Sequence, residues 1–163
     1  MELIQYEKKT SIGPLYLVAS HDGLYGLYFK PQSLPVLATI PLGTPTKKFL
    51  SQAVQQLDEY FAGKRKAFDI ELKVTGTDFQ RQVWQQLRKI PYGKTASYSD
   101  IAKRINNPNA VRAVGSANGK NPFCIIVPCH RVIAADGSIG GYAGGVEAKR
   151  KLLEIERIGI LLE

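Results

Sequence analysis

The stretch SYSDIAKRINNPNAVRAVGSAN, residues 97–118, decides the fold of the second half of the chain. Ser97 is a typical N-cap residue, and the apolar positions after it predict a short helix. Asn106, Asn107 and Pro108 then form a tight break, and Pro108 suits the first position of a second short helix that runs to about Asn118. Two short helices joined by a few residues predict a helix-turn-helix.

This helix pair lies in a strongly basic part of the sequence. The 163-residue chain has 22 Lys and Arg against 14 Asp and Glu, a formal net charge of +8. Between residues 79 and 135, nine basic residues stand against a single acidic one, Asp100. A local excess of this kind attracts a polyanion, so double-stranded DNA is the expected partner. Two alternatives stay open. Charge alone is also compatible with a basic surface that has no partner, and a helix pair of an ordinary helical bundle has the same sequence pattern as a helix-turn-helix.

The composition excludes several protein classes. With 44% apolar residues, 22% charged residues and 15 glycines that follow no period, the chain is neither disordered, collagen-like nor a coiled coil. No apolar run approaches the roughly 18 to 20 residues that span a bilayer, and the N-terminus lacks the basic-then-apolar order of a secretory signal. We therefore expect a cytoplasmic protein with no membrane partner. A structural zinc site needs four Cys or His ligands, and the four in this chain lie in three separate places, so no metal is expected. No cofactor is expected either.

Residues 1–75 predict a small α/β domain. Three strands joined by turns are expected between Leu3 and Phe29, followed by a Pro-rich loop at 31–46, an amphipathic helix at 46–62 and a short strand at 68–74. These elements make a small antiparallel sheet with one helix. A boundary near residues 74–76 separates this domain from a second domain at 76–163.

The second domain is predicted to be mostly helical. Thr77 and Gln80 form a capping-box pattern at the start of a helix that carries its apolar face to Ile90. The run FCIIV at 123–127 has the pattern of a buried strand, and a last helix is expected at about 146–157.

The candidate chemistry lies in the pentapeptide PCHRV at residues 128–132. A cysteine becomes a nucleophile when a base or a positive charge stabilises its thiolate, and His130 and Arg131 directly follow Cys129. The alternative for Cys129 is an inert buried thiol, which is the interpretation that we keep for Cys124.

A histidine that acts as a base generally needs a carboxylate to orient it. Glu156 borders the apolar stripe of the last helix, on the same row as Lys149 and Leu153, and is the candidate. A boundary glutamate paired with a neighbouring lysine is the alternative.

Five glycines lie within the ten residues DGSIGGYAGG at 136–145. Such a loop allows the backbone to approach a flat ligand closely. It lacks the order of a P-loop or of a dinucleotide-binding turn, so it does not indicate nucleotide binding.

These motifs together resemble one family. The pentapeptide PCHRV, preceded by RAVG at 112–115 and NP at 121–122 and followed by GYAGG at 141–145, is similar to that of the O6-alkylguanine-DNA alkyltransferases. The resemblance covers residues 77–163 and, more loosely, the N-terminal half. It implies two α/β subdomains, the first RNase H-like and the second mostly helical with a helix-turn-helix. It also implies irreversible repair, in which an alkylated guanine leaves the duplex and a Cys thiolate takes the alkyl group.

The resemblance also assigns roles to single residues. Cys129 would be the acceptor, His130 its general base acting through a water, and Glu156 the carboxylate that orients His130. Asn121 would brace the site. Tyr98 would donate a hydrogen bond to a ring nitrogen of the guanine.

Two further groups follow from the same resemblance. Arg112 would fill the space of the extruded nucleotide, with weak sequence readout in the minor groove. The expected DNA contacts are Arg112, Ser97, Ala113, Gly115, Lys120 and Arg131. The expected pocket residues are Tyr142, Ala143, Gly144, Val132 and Lys149, and the carbonyls of Val132 and Cys129 would contact the exocyclic amine of the guanine.

Two positions depart from the family pattern. Ala143 stands where some members have a serine that contacts the guanine oxygen, and Cys124 stands where some have a proline that lines the pocket. The expected protein is a monomer that acts on O6-alkylguanine in DNA, with O4-alkylthymine as a second candidate substrate. The rival hypotheses are a Cys-His-Glu hydrolase, which would need an oxyanion hole, a lesion-binding relative without an acceptor cysteine, and a helix-turn-helix regulator.

Overall fold

Apolar alternation and one amphipathic helix build the first of two structural units. The computed structural model describes residues 2–41 and 43–157. The first unit comprises the chain up to Val74 together with Pro122–Ile126. Its elements are β1 (Ile4–Thr10), β2 (Gly13–Ser20), β3 (Gly23–Tyr28), β4 (Val36–Leu37) and α1 (Pro45–Phe61).

The four strands form one sheet in the order β3-β2-β1-β4. The first three pair antiparallel, as expected, with Tyr6 opposite Leu17, whereas β4 pairs parallel to β1 inside the region predicted to be a loop. The tight connection between β1 and β2 uses Gly13 at φ 103°, a conformation that favours glycine. Leu50 and Leu57 of α1 are fully buried, so the predicted amphipathic helix covers an apolar core.

The predicted strand at 123–127 is wrong. Leu27 donates its N–H to the Pro122 carbonyl at 2.8 Å and accepts from the Cys124 N–H at 3.1 Å, which makes a single bridge between Leu27 and Phe123. The chain then turns, with Ile125 at φ 73°. Its apolar side chains are buried by a turn and a bridge to β3, a context that a local pattern does not contain.

The predicted strand at 68–74 is likewise reduced to one bridge. Leu72 pairs with Leu24, and the N–H of Lys73 donates to the Leu24 carbonyl at 2.8 Å. The Leu24 N–H also donates to the Glu71 carbonyl at 2.9 Å, so the segment is joined to the start of β3 by a single bridge with two hydrogen bonds.

The second unit contains Thr75–Asn121 and residues from Val127 onward. The expected second domain extends to residue 163, and its last six residues lie outside the described part of the chain. The elements are α2 (Asp78–Leu87), β5 (Ala96–Ser97), α3 (Tyr98–Arg104), α4 (Val111–Gly119), a 3-10 turn (Cys129–Arg131), β6 (Val132–Ile133) and α5 (Val146–Ile155).

Helix α2 begins at the predicted capping box. The Gln80 N–H donates to the Thr77 hydroxyl at 3.1 Å, and the Thr77 N–H donates to Gln80 Oε1 at 3.0 Å. The buried indole of Trp84 donates to the Ala117 carbonyl of α4 at 2.8 Å, which fixes α4 against α2.

Helices α3 and α4 form the predicted helix pair, but α4 begins later than expected. Ser97 caps α3 and accepts from the Asp100 N–H at 3.0 Å. The predicted start at Pro108 is wrong, because Asn106 adopts φ 59° and the Ala110 N–H bonds to the Asn107 carbonyl at 2.9 Å. Pro108 thus lies in the turn between the helices, a position that its fixed φ also suits.

Candidate active site

Cys129 opens the 3-10 turn of the second unit. Its N–H donates to the Val127 carbonyl at 2.7 Å, and the side chain of Asn118 on α4 donates to its carbonyl at 3.4 Å. Cys129 is 2% exposed. The turn therefore holds the candidate nucleophile on a backbone bonded on both sides.

His130 and Glu156 form a buried pair. His130 Nε2 lies 2.6 Å from Glu156 Oε2, and both side chains are fully buried. Burial lowers the pKa of His130 despite the raising effect of Glu156, and the charges of Arg131 and Lys149 also lower it. The neutral imidazole then donates from Nε2 to the carboxylate. Within the described residues Nδ1 has no hydrogen-bond partner, so it is placed to accept a proton.

Arg131 lies elsewhere than expected. The sequence predicts a DNA contact, but the structure buries Arg131 to 6% exposure. Its guanidinium donates to Glu156 at 2.8 and 3.2 Å and to the Ile90 carbonyl at 2.7 Å. A side chain engaged in this way supports an internal role.

Lys149 lies inside the second unit with Tyr98 nearby. Its ammonium donates to the Val132 carbonyl at 2.6 Å and to the Gly141 carbonyl at 3.0 Å. A Cβ added at Gly140 would lie 3.5 Å from both Lys149 Nζ and Tyr98 Oη, so these two polar atoms flank Gly140. The Val132 carbonyl, expected to contact the guanine amine, keeps one lone pair for a second donor.

The electrostatics of these two groups involve Cys129. Burial lowers the pKa of Lys149 from 10.5 to about 8, and a negative Cys129 acts in the opposite direction. Burial, followed by a negative Cys129, raises the pKa of Tyr98. Near neutral pH, Lys149 is therefore a cation that attracts the thiolate, and Tyr98 keeps its proton for donation.

Two asparagines support the backbone around Cys129. Asn121 donates from Nδ2 to the Val127 carbonyl at 2.8 Å, in keeping with a bracing residue. Asn118, which bonds the Cys129 carbonyl, was missed by the sequence analysis. Asn118 is buried on α4 and lies three residues before Asn121, which follows the helix. This spacing is the signal that could have indicated a supporting role for Asn118.

The predicted DNA contacts differ in exposure. Arg112, Ala113 and Lys120 are exposed on α4 or at its end. Gly115 is half-buried, and a Cβ there would lie 3.9 Å from the Tyr98 ring. Ser97 is engaged as the cap of α3.

The glycine-rich loop lies beside Lys149, whose ammonium donates to the Gly141 carbonyl of this loop. The Gly145 N–H bonds to the Tyr142 carbonyl at 3.0 Å and closes a turn in front of α5. Tyr142 and Gly144 are half-buried and Ala143 is exposed, so this turn offers both a ring and backbone groups to a ligand.

The described residues contain neither a metal-binding cluster nor a membrane-spanning helix. Within residues 2–41 and 43–157, no three His, Cys, Asp or Glu side chains form a group that could hold a metal ion. No helix in the same part of the chain is long and apolar enough to cross a membrane.

The sequence matches two family descriptions in succession. Residues 5–74 match "6-O-methylguanine DNA methyltransferase, ribonuclease-like domain", and residues 78–158 match "6-O-methylguanine DNA methyltransferase, DNA binding domain".

Curated relatives and solved structures agree with this match. The methylated-DNA–protein-cysteine methyltransferase of Mycobacterium tuberculosis is 51% identical, over 95% of this chain and 93% of the relative. That of Methanosarcina acetivorans is 45% identical, over 91% of this chain and 94% of the relative. The crystal structure of Mycobacterium tuberculosis OGT in complex with DNA is 46% identical with a TM-score of 0.83, covering 94% of this chain and 92% of that one. The chain therefore belongs to the 6-O-methylguanine DNA methyltransferase family.

Proposed function

We propose that this protein repairs O6-alkylguanine in double-stranded DNA by transferring the alkyl group irreversibly to Cys129. The observation that carries this assignment is the buried His130–Glu156 pair, 2.6 Å apart, whose histidine directly follows the buried Cys129 in one 3-10 turn. Membership of the family, with relatives named methylated-DNA–protein-cysteine methyltransferases, supports it. The solved complex of Mycobacterium tuberculosis OGT with DNA supports DNA as the substrate.

The first step moves a proton away from Cys129. The S–H bond breaks, and the proton passes through a bridging water to Nδ1 of His130, which becomes an imidazolium paired with Glu156. The charge of Lys149 stabilises the thiolate that remains.

The second step transfers the carbon. The thiolate electron pair forms an S–C bond to the alkyl carbon as the C–O6 bond breaks, and guanine leaves with the bonding electrons as an anion. The proton held by the His130 imidazolium then returns through water to a ring nitrogen of the guanine, which neutralises the base. Tyr98, which keeps its proton, donates a hydrogen bond to a ring nitrogen of the leaving base. The product is a thioether with no hydrolytic route back, so each molecule acts once.

The burial of Cys129 requires the target base to leave the helix. A guanine stacked in duplex DNA cannot present its O6 to a thiol that is 2% exposed. Arg112, exposed on α4, fills the space that the base vacates. Because DNA is the substrate, we propose that the protein acts in the cytoplasm, at the nucleoid.

The test uses a duplex that carries one O6-methylguanine. We expect the intact mass of the protein to rise by one methyl group and to saturate at one per molecule. Cys124 and Cys129 lie on the same tryptic peptide, between Lys120 and Arg131, so two variants assign the site. Cys124→Ala should still take up the methyl group, whereas Cys129→Ser should lose transfer and keep DNA binding. Methylation of Cys129→Ser, or repeated turnover by the native chain, would overturn the proposal.

A further inference from the structure

The guanidinium of Arg131 forms a bidentate hydrogen-bonded pair, here called the fork, with the carboxylate of Glu156. Nε donates to Oε1 at 2.8 Å and Nη2 donates to Oε2 at 3.2 Å, and Nη1 is tied to the Ile90 carbonyl at 2.7 Å. The centroid of the Tyr92 ring lies 5.7 Å from the guanidinium carbon of Arg131. A planar fork held at three points fixes the orientation of a carboxylate in a way that a single ammonium cannot.

The same carboxylate oxygen serves both residues of the turn. Glu156 Oε2 lies 2.6 Å from His130 Nε2 and 3.2 Å from Arg131 Nη2. The 3-10 turn thus directs two successive side chains to one carboxylate, which stands at the C-terminal end of α5. Because Glu156 orients His130, any group that orients Glu156 also sets the direction of the imidazole.

The charges around the imidazole favour its neutral form. The charged groups that face His130 are Glu156, Arg131 and Lys149, and Arg131 and Lys149 both lower its pKa. Tyr92 and the backbone N–H of Gly93, 3.4 Å from Oε1, also face the carboxylate. A His-Glu pair alone would favour the imidazolium, whereas a carboxylate already neutralised by Arg131 does so much less. An imidazolium has no lone pair with which to take a proton from a thiol.

We propose that Arg131 is a positioning residue for alkyl transfer. Its fork holds the Glu156 carboxylate that aims His130, and its charge keeps the imidazole free to accept the Cys129 proton. The inference rests on the proposed function, because the proton from the Cys129 S–H bond is the one that Nδ1 of His130 receives.

Two substitutions separate the fork from the charge. The measurement is the transfer rate from a free O6-alkylated guanine base as a function of pH, which avoids any effect on DNA binding. Arg131→Lys keeps the charge and loses the fork, so the maximal rate should fall about tenfold while the midpoint of the acidic limb stays in place. Arg131→Gln loses the charge, so the midpoint should rise by about one pH unit, and NMR of the His130 ring should report the same rise.

Glu156→Gln gives an opposite shift. It removes the hydrogen bond and the negative charge that raise the pKa of His130, so the midpoint should fall whatever Arg131 does, and Arg131→Lys carries the test if Arg131→Gln does not fold. Arg150→Gln removes one positive charge from α5, far along the helix from Glu156, and should change neither rate nor midpoint.

Failure of the proposed function and failure of the role of Arg131 would give different results. Loss of methyl uptake by the native chain would end the proposed function. A native chain that transfers, with Arg131→Gln keeping the native midpoint and Arg131→Lys keeping the native maximal rate, would overturn the role of Arg131 alone.

Discussion

Lys149 is a buried ammonium whose charge changes near neutral pH. It donates to two backbone carbonyls, and burial lowers its pKa to about 8. Below this pH the group is charged and attracts the Cys129 thiolate. Above it the group becomes neutral, and the attraction is lost.

The substitution Lys149→Met should therefore weaken the thiolate. We expect the rate of transfer from the free alkylated base at pH 7 to fall about tenfold, as for a rise of one unit in the pKa of the thiol. The rate profile should move to higher pH because a less stabilised thiolate forms only there. Lys151→Met, an exposed lysine on the same helix, is the matched control and should behave as the native chain. Equal losses of rate in the two variants would show that the buried charge of Lys149 does not stabilise the Cys129 thiolate.

At the level of single residues, the sequence predicted the His130–Glu156 pair but not the contact of Arg131 with Glu156. The row of Lys149, Leu153 and Glu156 placed a carboxylate at the edge of an apolar face, and His130 needed such a partner. Arg131 was misplaced because a basic residue in a basic region resembles a surface cation. Its partners are the Ile90 carbonyl and the Glu156 carboxylate, which are distant in sequence, so no local pattern shows that it points inward.

Among the elements, α2 and α1 differ in the way in which they begin. The Thr77 hydroxyl accepts from the Gln80 N–H, whereas the side chain of Thr44, at the N-cap of α1, makes no cap hydrogen bond with the described residues. Thr77→Ala should lower the free energy of unfolding by about 1 kcal/mol, and Thr44→Ala should change it by only a few tenths. Denaturant unfolding measures both. A cost at Thr44 equal to that at Thr77 would contradict the capping explanation.

Helix α4 carries the side chain proposed to enter the base stack. Arg112→Ala should slow repair in duplex DNA by about tenfold or more and leave reaction with the free alkylated base nearly unchanged, because only the duplex has a gap to fill. Arg104→Ala removes an exposed charge from α3 and should cost far less in the duplex assay. Equal losses for Arg112→Ala in both assays would remove the stack-filling role.

The errors in the predicted elements have a common cause. Helices α1 and α2 carry their signals within their own residues, through apolar spacing and caps, and were found. The run at 123–127 was assigned to a strand because five apolar residues fit one. Its true form depends on the bridge to Leu27, which lies far away in the sequence. The start of α4 was misplaced because Pro108 suits a turn as well as a first helical turn.

For the whole molecule, the excess of positive charge lies in the second half of the chain. Residues 76–163 hold 13 basic and 7 acidic residues, a net charge of +6, whereas residues 1–75 hold 9 and 7, a net charge of +2. Binding to undamaged duplex should weaken steeply as salt rises, because phosphate contacts release counterions. Lys120→Gln should reduce the slope of log K against log salt by about one.

A matched variant in the first unit tests where this charge acts. Lys64→Gln removes an exposed lysine that follows α1 and should leave the salt slope unchanged. Fluorescence anisotropy of a labelled duplex at several salt concentrations measures both slopes. An equal drop for Lys64→Gln would contradict a DNA contact confined to the second half.

The return of Pro122–Ile126 to the first unit limits how the protein can be cut into fragments. Leu27 and Phe123 are 0% and 1% exposed, and the Leu27 N–H and carbonyl both bond to this returning segment. A fragment that stops at Val74 leaves these two backbone groups unpaired in an apolar setting, at a cost of about 1–3 kcal/mol each. On the ribosome, likewise, the N–H and the carbonyl of Leu27 meet these partners only after Cys124 has emerged, so the first unit is complete only when part of the second unit has been synthesised.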